Sequence, residues 1–291
     1  MTSIAIAVPT QKKKWTTTGK IMFTGWIFFL IAMIVPVALH TPIYSNVILF
    51  PMANTKSPPV IKGVQGEECT FTNDVGNKLN GWLYRVPGAT KICIVHHGNA
   101  GNITNRLPLA ELYATMGAST FLYDYRSFGK SEGEPLLRTL VTDGICAFDY
   151  VHNKLGFAPK DILHHGESIG SGVACAVATA RPSGGLILQS AIGSLPSVGR
   201  AHFPFLAPYP DVFFPDPTLN NVEQIKSVHA PVLLVHGDAD QTVPWQHSQA
   251  IYDNAPGHKK LVIFHGYGHN AIDPTNQEAI GTLKAIIAGT F

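Results

Sequence analysis

Ser168 lies between two glycines in the stretch GESIGSG, residues 166–172. An apolar run precedes this G-x-S-x-G pattern and small residues follow it, the context in which a serine becomes a nucleophile on a sharp strand-to-helix turn. Taken alone, the pattern fits a structural turn equally well. A serine nucleophile also needs a base oriented by a third group. Asp240 in HGDADQTVP and His269 in GYGHN follow downstream, in the order Ser, Asp, His. In that arrangement His269 takes the Ser168 proton and later returns it to a leaving group, while Asp240 holds the imidazole tautomer. Asp238 is the rival acid, expected to be tied up in the turn. His265 is the rival base, expected to be a satisfied structural histidine at an apolar strand. The chemistry such residues perform is acyl transfer through a tetrahedral oxyanion, which needs two fixed N–H donors. Ile169, next after the serine, offers one, and Asn99 in HHGNAGN offers the other, with Ala100 beside it. His97 can brace that loop; a purely structural role for His96 and His97 stands beside it.

These residues need a scaffold, and the apolar pattern supplies one. CTFTN and NGWLYRV read as strands joined by a turn, and KICIVHHG as a strand buried on both faces. Residues 105–116 read as helix, STFLYDYR as strand, and Leu137, Leu140, Val141, Ile145, Phe148 and Val151 recur at helical spacing. DILHHGES is a strand, 169–180 a small-residue helix and GGLILQSA a strand. PVLLVHGDAD (strand), 246–254 (helix), KKLVIFHGYGH (strand) and 274–288 (helix) complete the alternation. Strands alternating with helices predict a mostly parallel sheet with helices on both faces. The candidate residues all fall at the carboxyl ends of strands, where ligands bind in such sheets. Residues 196–218 break the rhythm with many prolines and aromatics, and read as a short cap with an apolar underside; a packed surface connector is the other reading.

The first 65 residues follow other rules. Residues 21–39, IMFTGWIFFLIAMIVPVAL, carry no charge and have the length a bilayer core requires. Lys12, Lys13, Lys14 and Lys20 precede the run. That bias predicts a cytoplasmic tail over 1–20, a single-pass transmembrane signal-anchor helix over 21–39 and the remaining chain across the membrane. A cleaved signal peptide is the rival, although no clean A-x-A site follows. Residues 40–65 read as a connector, and 66–291 as the folded domain.

Composition narrows the partners. Charged residues make up 14% of the chain, with 21 basic against 19 acidic, so no strong field attracts nucleic acid. Cys69, Cys93, Cys146 and Cys175 form no C-x-x-C pair and no metal-ligand spacing, and read as apolar-like thiols. The chemistry calls for neither a metal nor an organic cofactor. Asn102 heads an N-I-T sequon inside the oxyanion loop, where a glycan would obstruct access, so it is expected to be unmodified.

With HHGNAGN, DYRSFGKSEG, GESIGSG, HGDADQTVP and GYGHN in this order, the chain resembles serine hydrolases of the α/β-hydrolase fold. Within them it is similar to the membrane-associated proteins of the Bem46 and ABHD13/ABHD17 type, over roughly residues 65–290. The resemblance implies hydrolysis of an ester, a thioester or a related acyl bond, with some members removing palmitate from proteins. It makes Asp124 and Arg126 structural members of a fold signature, in which Ser127 stands where glycine is usual. The cysteine-rich amino terminus of palmitoylated relatives is absent. The expectation is therefore a membrane-anchored serine hydrolase acting on a small-molecule or lipid acyl ester. A serine peptidase or amidase on the same triad and a non-catalytic membrane scaffold are the alternatives.

Overall fold

The computed structural model describes residues 16–39, 42–53, 56–214, 216–269, 272 and 274–291. Its strands are β1 (Phe50–Pro51), β2 (Val60–Ile61), β3 (Val64–Thr72), β4 (Lys78–Tyr84), β5 (Ile92–His96), β6 (Ala100–Gly101), β7 (Ser119–Tyr123), β8 (Ile162–Glu167), β9 (Gly185–Gln189), β10 (Val232–Gly237) and β11 (Lys259–Phe264). Nine of them form one sheet in the order β11-β10-β9-β8-β5-β7-β4-β3-β2. From β11 to β7 all neighbours are parallel, and β4, β3 and β2 add an antiparallel edge. This is the mostly parallel sheet that the alternation predicts.

The helices are α1 (Thr17–Leu39), α2 (Pro42–Ile48), α3 (Leu107–Thr115), α4 (Leu137–Asn153), α5 (Ile169–Ala180), α6 (Leu195–His202), α7 (Asn221–Gln224), α8 (Gln246–Asn254) and α9 (Gln277–Ala288). Strand period two sorts the core between the faces. Ile92, Ile94, Phe121 and Ile162 pack with α4 and α5 through Phe148, Val173 and Val177. Their neighbours Cys93, Leu163, Ile187 and Leu233 turn to the other face, against Tyr113 of α3 and Leu283 and Ile286 of α9. Helices therefore cover both faces.

The central strands also bury histidines. His96 pairs with the Tyr123 hydroxyl at 2.7 Å and with His164 at 3.0 Å. His165 Nδ1 accepts from the Tyr113 hydroxyl at 2.8 Å, and its Nε2–H donates to Gln189 Oε1 at 2.8 Å. Each ring is held neutral inside the sheet by burial; His96 and His165 are bonded at both nitrogens, whereas His164 Nε2 has no partner among the described residues.

Several expectations shift. Within 40–65 the described residues contain α2, β1, β2 and the start of β3, and β1 pairs in parallel with β6 at the loop after β5. Residues 1–15 of the expected cytoplasmic tail lie outside the described residues, as do the side chains of 29–33 and 35–39 in α1. Among the described residues no helix is long and apolar enough to cross a membrane. The proline-rich segment is more ordered than a loop. Ser194 caps α6 through Ser197 N–H and Pro196 sits in its first turn, and two short 3-10 turns follow, Pro204–Leu206 and Asp211–Phe213. Leu195, Leu206 and Phe214 form a buried underside. Ser127 has φ 69°, the left-handed conformation that suits the glycine usual at this place. The four cysteines are free, three of them buried and Cys146 half-buried.

Burial lowers His97 and His164 from 6.5 to about 3, and pushes His96 and His165 down as well. As the pH falls below 6.5, the unfolded chain binds protons at these four positions and the folded chain does not. Stability therefore drops towards pH 3. Asp124, raised by burial from 3.8 to about 7, acts with the opposite sign over part of that window. The raised pKa of Asp143, again from burial, acts in the same direction as Asp124. The histidines outnumber these two acids, so the thermal midpoint is expected to be lower near pH 5 than near pH 7.5. Thermal unfolding across that range checks this, and a midpoint that rises on acidification would contradict it.

Candidate active site

β8 ends at Glu167 and α5 begins at Ile169, leaving Ser168 alone in the turn with φ 55° and ψ −121°. A non-glycine residue seldom holds a positive φ, and here the surroundings enforce it. A Cβ at position 170 would overlap the carbonyl oxygens of His96 and His97, and one at 166 would collide with Ser171 Cα and the Gly170 carbonyl. Both flanking glycines are therefore needed for α5 to approach β5 and β8. Ser168 N–H donates to Gln189 O at 2.9 Å. Ser171 Oγ donates to Ser168 O at 2.5 Å while accepting from Ile192 N–H and Asn221 Nδ2.

His269 Nε2 lies 3.0 Å from Ser168 Oγ, and its Nδ1 lies 2.6 Å from Asp240 Oδ2. With a carboxylate at Nδ1, that nitrogen carries the proton and Nε2 is free to accept from the serine hydroxyl. The structure thus brings together Ser168, Asp240 and His269 from the ends of three strands. Asp240 is heavily solvated by protein: Oδ1 accepts from Thr242 and Val243 N–H at 2.8 Å each, and Oδ2 also faces His236 Nε2 at 3.1 Å. Burial pushes the Asp240 carboxyl up, but the His236, His269 and Val243 hydrogen bonds outweigh it and hold the group well below the ordinary carboxylate range.

The rivals stand elsewhere. Asp238 binds His265 Nδ1 at 2.8 Å and Gly266 N–H at 2.7 Å. β11 ends at Phe264, so His265 lies just beyond the apolar strand and is exposed, where the sequence places it within the strand; its bond to Asp238 fits the structural role expected of it.

Asn99 and Ile169 border the same cavity as Ser168. Neither backbone N–H has an acceptor among the described residues, so both are available to a ligand oxygen. The cavity, about 430 Å³, is walled mainly by apolar side chains: Ile48 of α2, Ile192, and Leu195, Phe203, Leu206 and Phe214 of the cap. No carboxylate lines it among the described residues. Nor do the described residues contain a cluster of side chains able to hold a metal ion.

Three features of the site are not evident from the sequence motifs. Arg106 forms a buried two-pronged ion pair with Glu167, Nε to Oε2 at 3.0 Å and Nη2 to Oε1 at 3.3 Å. Its Nη1 also donates to Ala100 O at 3.0 Å, which ties the loop after β5 to the turn at Ser168. A signal existed, since Glu167 sits beside the serine in an otherwise apolar stretch. His236 is buried, donates from Nε2 to Asp240 Oδ2 and Val243 O, and accepts the Ser248 hydroxyl at Nδ1, 2.6 Å away. Finally, the segment over 44–53 borders the cavity and the loop. Asp124 accepts from Ile103 N–H, Arg126 pairs with Asp143 and Asp74, and both are structural, as the resemblance implies. Asn102 is buried, its amide donating to Met52 O and Ala53 O, so the sequon side chain is occupied within the fold.

The serine aminopeptidase S33 family (Hydrolase_4) matches residues 87–224. The chain is 33% identical over 223 residues to the uncharacterized protein Rv2307c of Mycobacterium tuberculosis H37Rv, covering 76% of this chain and 78% of that one. It is 32% identical over 208 residues to the uncharacterized protein YfhR of Escherichia coli O157:H7, covering 68% and 71%. Among solved structures it is similar to the Pyrococcus furiosus esterase Pf2001, with TM-score 0.68 and 18% identity over 83% of this chain and 97% of that one. It is also similar to Est1E of Butyrivibrio proteoclasticus, solved with ferulic acid bound, with TM-score 0.60 and 24% identity over 75% and 96%. The chain thus has the α/β-hydrolase fold and belongs to the family that includes Rv2307c and YfhR.

Proposed function

We propose that the protein is a serine hydrolase that cleaves carboxylic esters or thioesters with apolar acyl groups. The observation that carries this reading is the Ser168–His269–Asp240 chain, at 3.0 and 2.6 Å, opening on an apolar cavity. Ser168 Oγ attacks the acyl carbonyl while His269 Nε2 takes its proton. Asn99 and Ile169 N–H stabilise the oxyanion, and Asp240 stabilises the imidazolium. His269 then protonates the departing alcohol or thiol. Water, deprotonated by His269, attacks the acyl-enzyme carbonyl and releases the acid and Ser168.

An aminopeptidase reading draws on the family's description. It would require an anionic group near the scissile bond to hold a substrate ammonium, and the cavity lining lacks a carboxylate among the described residues. The apolar walls favour an acyl chain instead. Within the hydrolases, the finer placement in the Bem46 and ABHD13/ABHD17 type rests on the motif order.

The same reading anchors the chain in a membrane through residues 21–39, amino terminus cytoplasmic and hydrolase domain on the extracytoplasmic side. Its supports are the charge-free run, the lysines before it, and the exposure of Ile21, Met22, Phe23, Trp26 and Phe28 on α1. Full-length protein is expected to stay in the membrane fraction after alkaline carbonate washing; quantitative release would contradict the anchor.

Purified protein is expected to hydrolyse p-nitrophenyl octanoate with a higher kcat/KM than the acetate, and to leave aminoacyl p-nitroanilides intact. Ser168→Ala is expected to lower kcat by roughly 10⁴-fold or more. Asp240→Asn, which allows the wrong imidazole tautomer, is expected to cost about 10⁴-fold. Esterase activity that persists in Ser168→Ala, or cleavage confined to the anilides, would overturn the reading.

A further inference from the structure

We infer that the segment running from α2 into β1, residues 44–53, is a working part of the active site that positions the oxyanion donor Asn99 N–H. This rests on the reading of Ser168 as nucleophile. The segment lies outside residues 87–224, the part of the chain that the S33 family matches.

A backbone donor stabilises an oxyanion only if its direction is fixed before the charge develops. Residues 97–99 lie in no regular element, between β5 and β6, and glycine at 98 gives the loop freedom to move. The segment removes that freedom through a set of hydrogen bonds. Phe50 N–H donates to Asn99 O at 2.8 Å, and Met52 N–H donates to Gly101 O at 3.1 Å. Asn99 Nδ2 donates to Ile48 O at 2.8 Å, and Asn102 Nδ2 donates to Met52 O at 3.1 Å. Asn99 is thus held at both its side-chain amide and its backbone carbonyl. Its backbone N–H remains without an acceptor among the described residues.

The brace is itself anchored to the domain. Leu49 is buried in the core that includes Leu137 and Ile169, with Tyr44 and Ile48 packed against it. Ser45 Oγ accepts from Leu137 N–H at 3.2 Å, and Gly129 N–H donates to Met52 O at 3.0 Å. Tyr44, Val47 and Ile48 also border the cavity. On the other side of the loop, the Arg106–Glu167 pair holds Ala100. The donor is therefore held between two rigid supports, and the outer one follows directly on α1 in the chain.

The test separates positioning from mere stability. Asn99→Ala keeps the backbone donor and removes its tie to Ile48 O; Asn99→Asp keeps the size but cannot donate. In the full-length protein both are expected to lower kcat for p-nitrophenyl octanoate by about 10- to 100-fold, with KM changed by no more than about twofold. Affinity for an octyl trifluoromethyl ketone, whose hemiketal with Ser168 carries the oxyanion, is expected to weaken by the same factor as kcat/KM. A thermal midpoint close to wild type keeps the comparison valid. If Asn99→Ala does not fold, Phe50→Pro, which removes the N–H bound to Asn99 O, is measured in the same way. Unchanged kcat and ketone affinity would overturn the proposal. So would a raised KM at constant kcat, which would make the segment only a cavity wall. Wild-type protein that hydrolyses no ester would instead sink the nucleophile reading, and this inference with it.

Discussion

The turn at Ser168 is the constraint on which the site depends. A serine at φ 55° is unfavourable, and the fold maintains it by packing α5 against β5 so closely that no side chain fits at 166 or 170. β8 lies between β5 and β9 inside the sheet, so the turn is flanked on both sides by strand ends. β5 leads into the loop that carries Asn99, and β9 supplies Gln189 O, which accepts the Ser168 N–H. Any relaxation of the turn would move the serine hydroxyl relative to His269 and to both N–H donors together. The strain is local, and the restraint is distributed over Ser171, Asn221, Gln189 and the Arg106–Glu167 pair.

Electrostatics around the turn follow from burial. The interior contains polar groups but little net charge: the strand histidines are held neutral by their surroundings and bonded to tyrosines, glutamine or one another. Asp240 is the contrast. Two backbone N–H groups and two imidazoles keep it ionised despite burial. That fixed negative charge sits where an imidazolium would form on His269. The shared oxygen Oδ2 makes His236 part of the same arrangement, since it orients the carboxylate without approaching the serine.

Much of this was legible in the sequence because it depended on local patterns. Two-residue and helical periods place β5, β8, β9, β10, α5 and α8, and GESIGSG carries the two glycines that its turn needs. Ser168, Asp240 and His269 were readable because each follows the carboxyl end of an apolar strand. What escaped the sequence depends on contacts between distant segments. Arg106 and Glu167 are 61 positions apart, and neither has a local pattern that announces the other. β1 within the connector has no local signal because its partner, β6, lies about fifty residues later. His265 lies one residue beyond β11, within the longer strand that the apolar run suggests, since strand ends are the least determined feature of any periodicity; its bond to Asp238 fits a satisfied structural histidine. The cap was half legible: its prolines rule out a long helix, yet Pro196 and Ser194 start a short one.

Catalysis at this site depends on the reactivity of one hydroxyl. The most direct measurement is labelling of the folded protein with a fluorophosphonate, followed by peptide mass mapping. The account predicts a single stoichiometric adduct on Ser168, absent from Ser168→Ala. Folded wild-type protein that remains unlabelled, or an adduct on another residue, would contradict it.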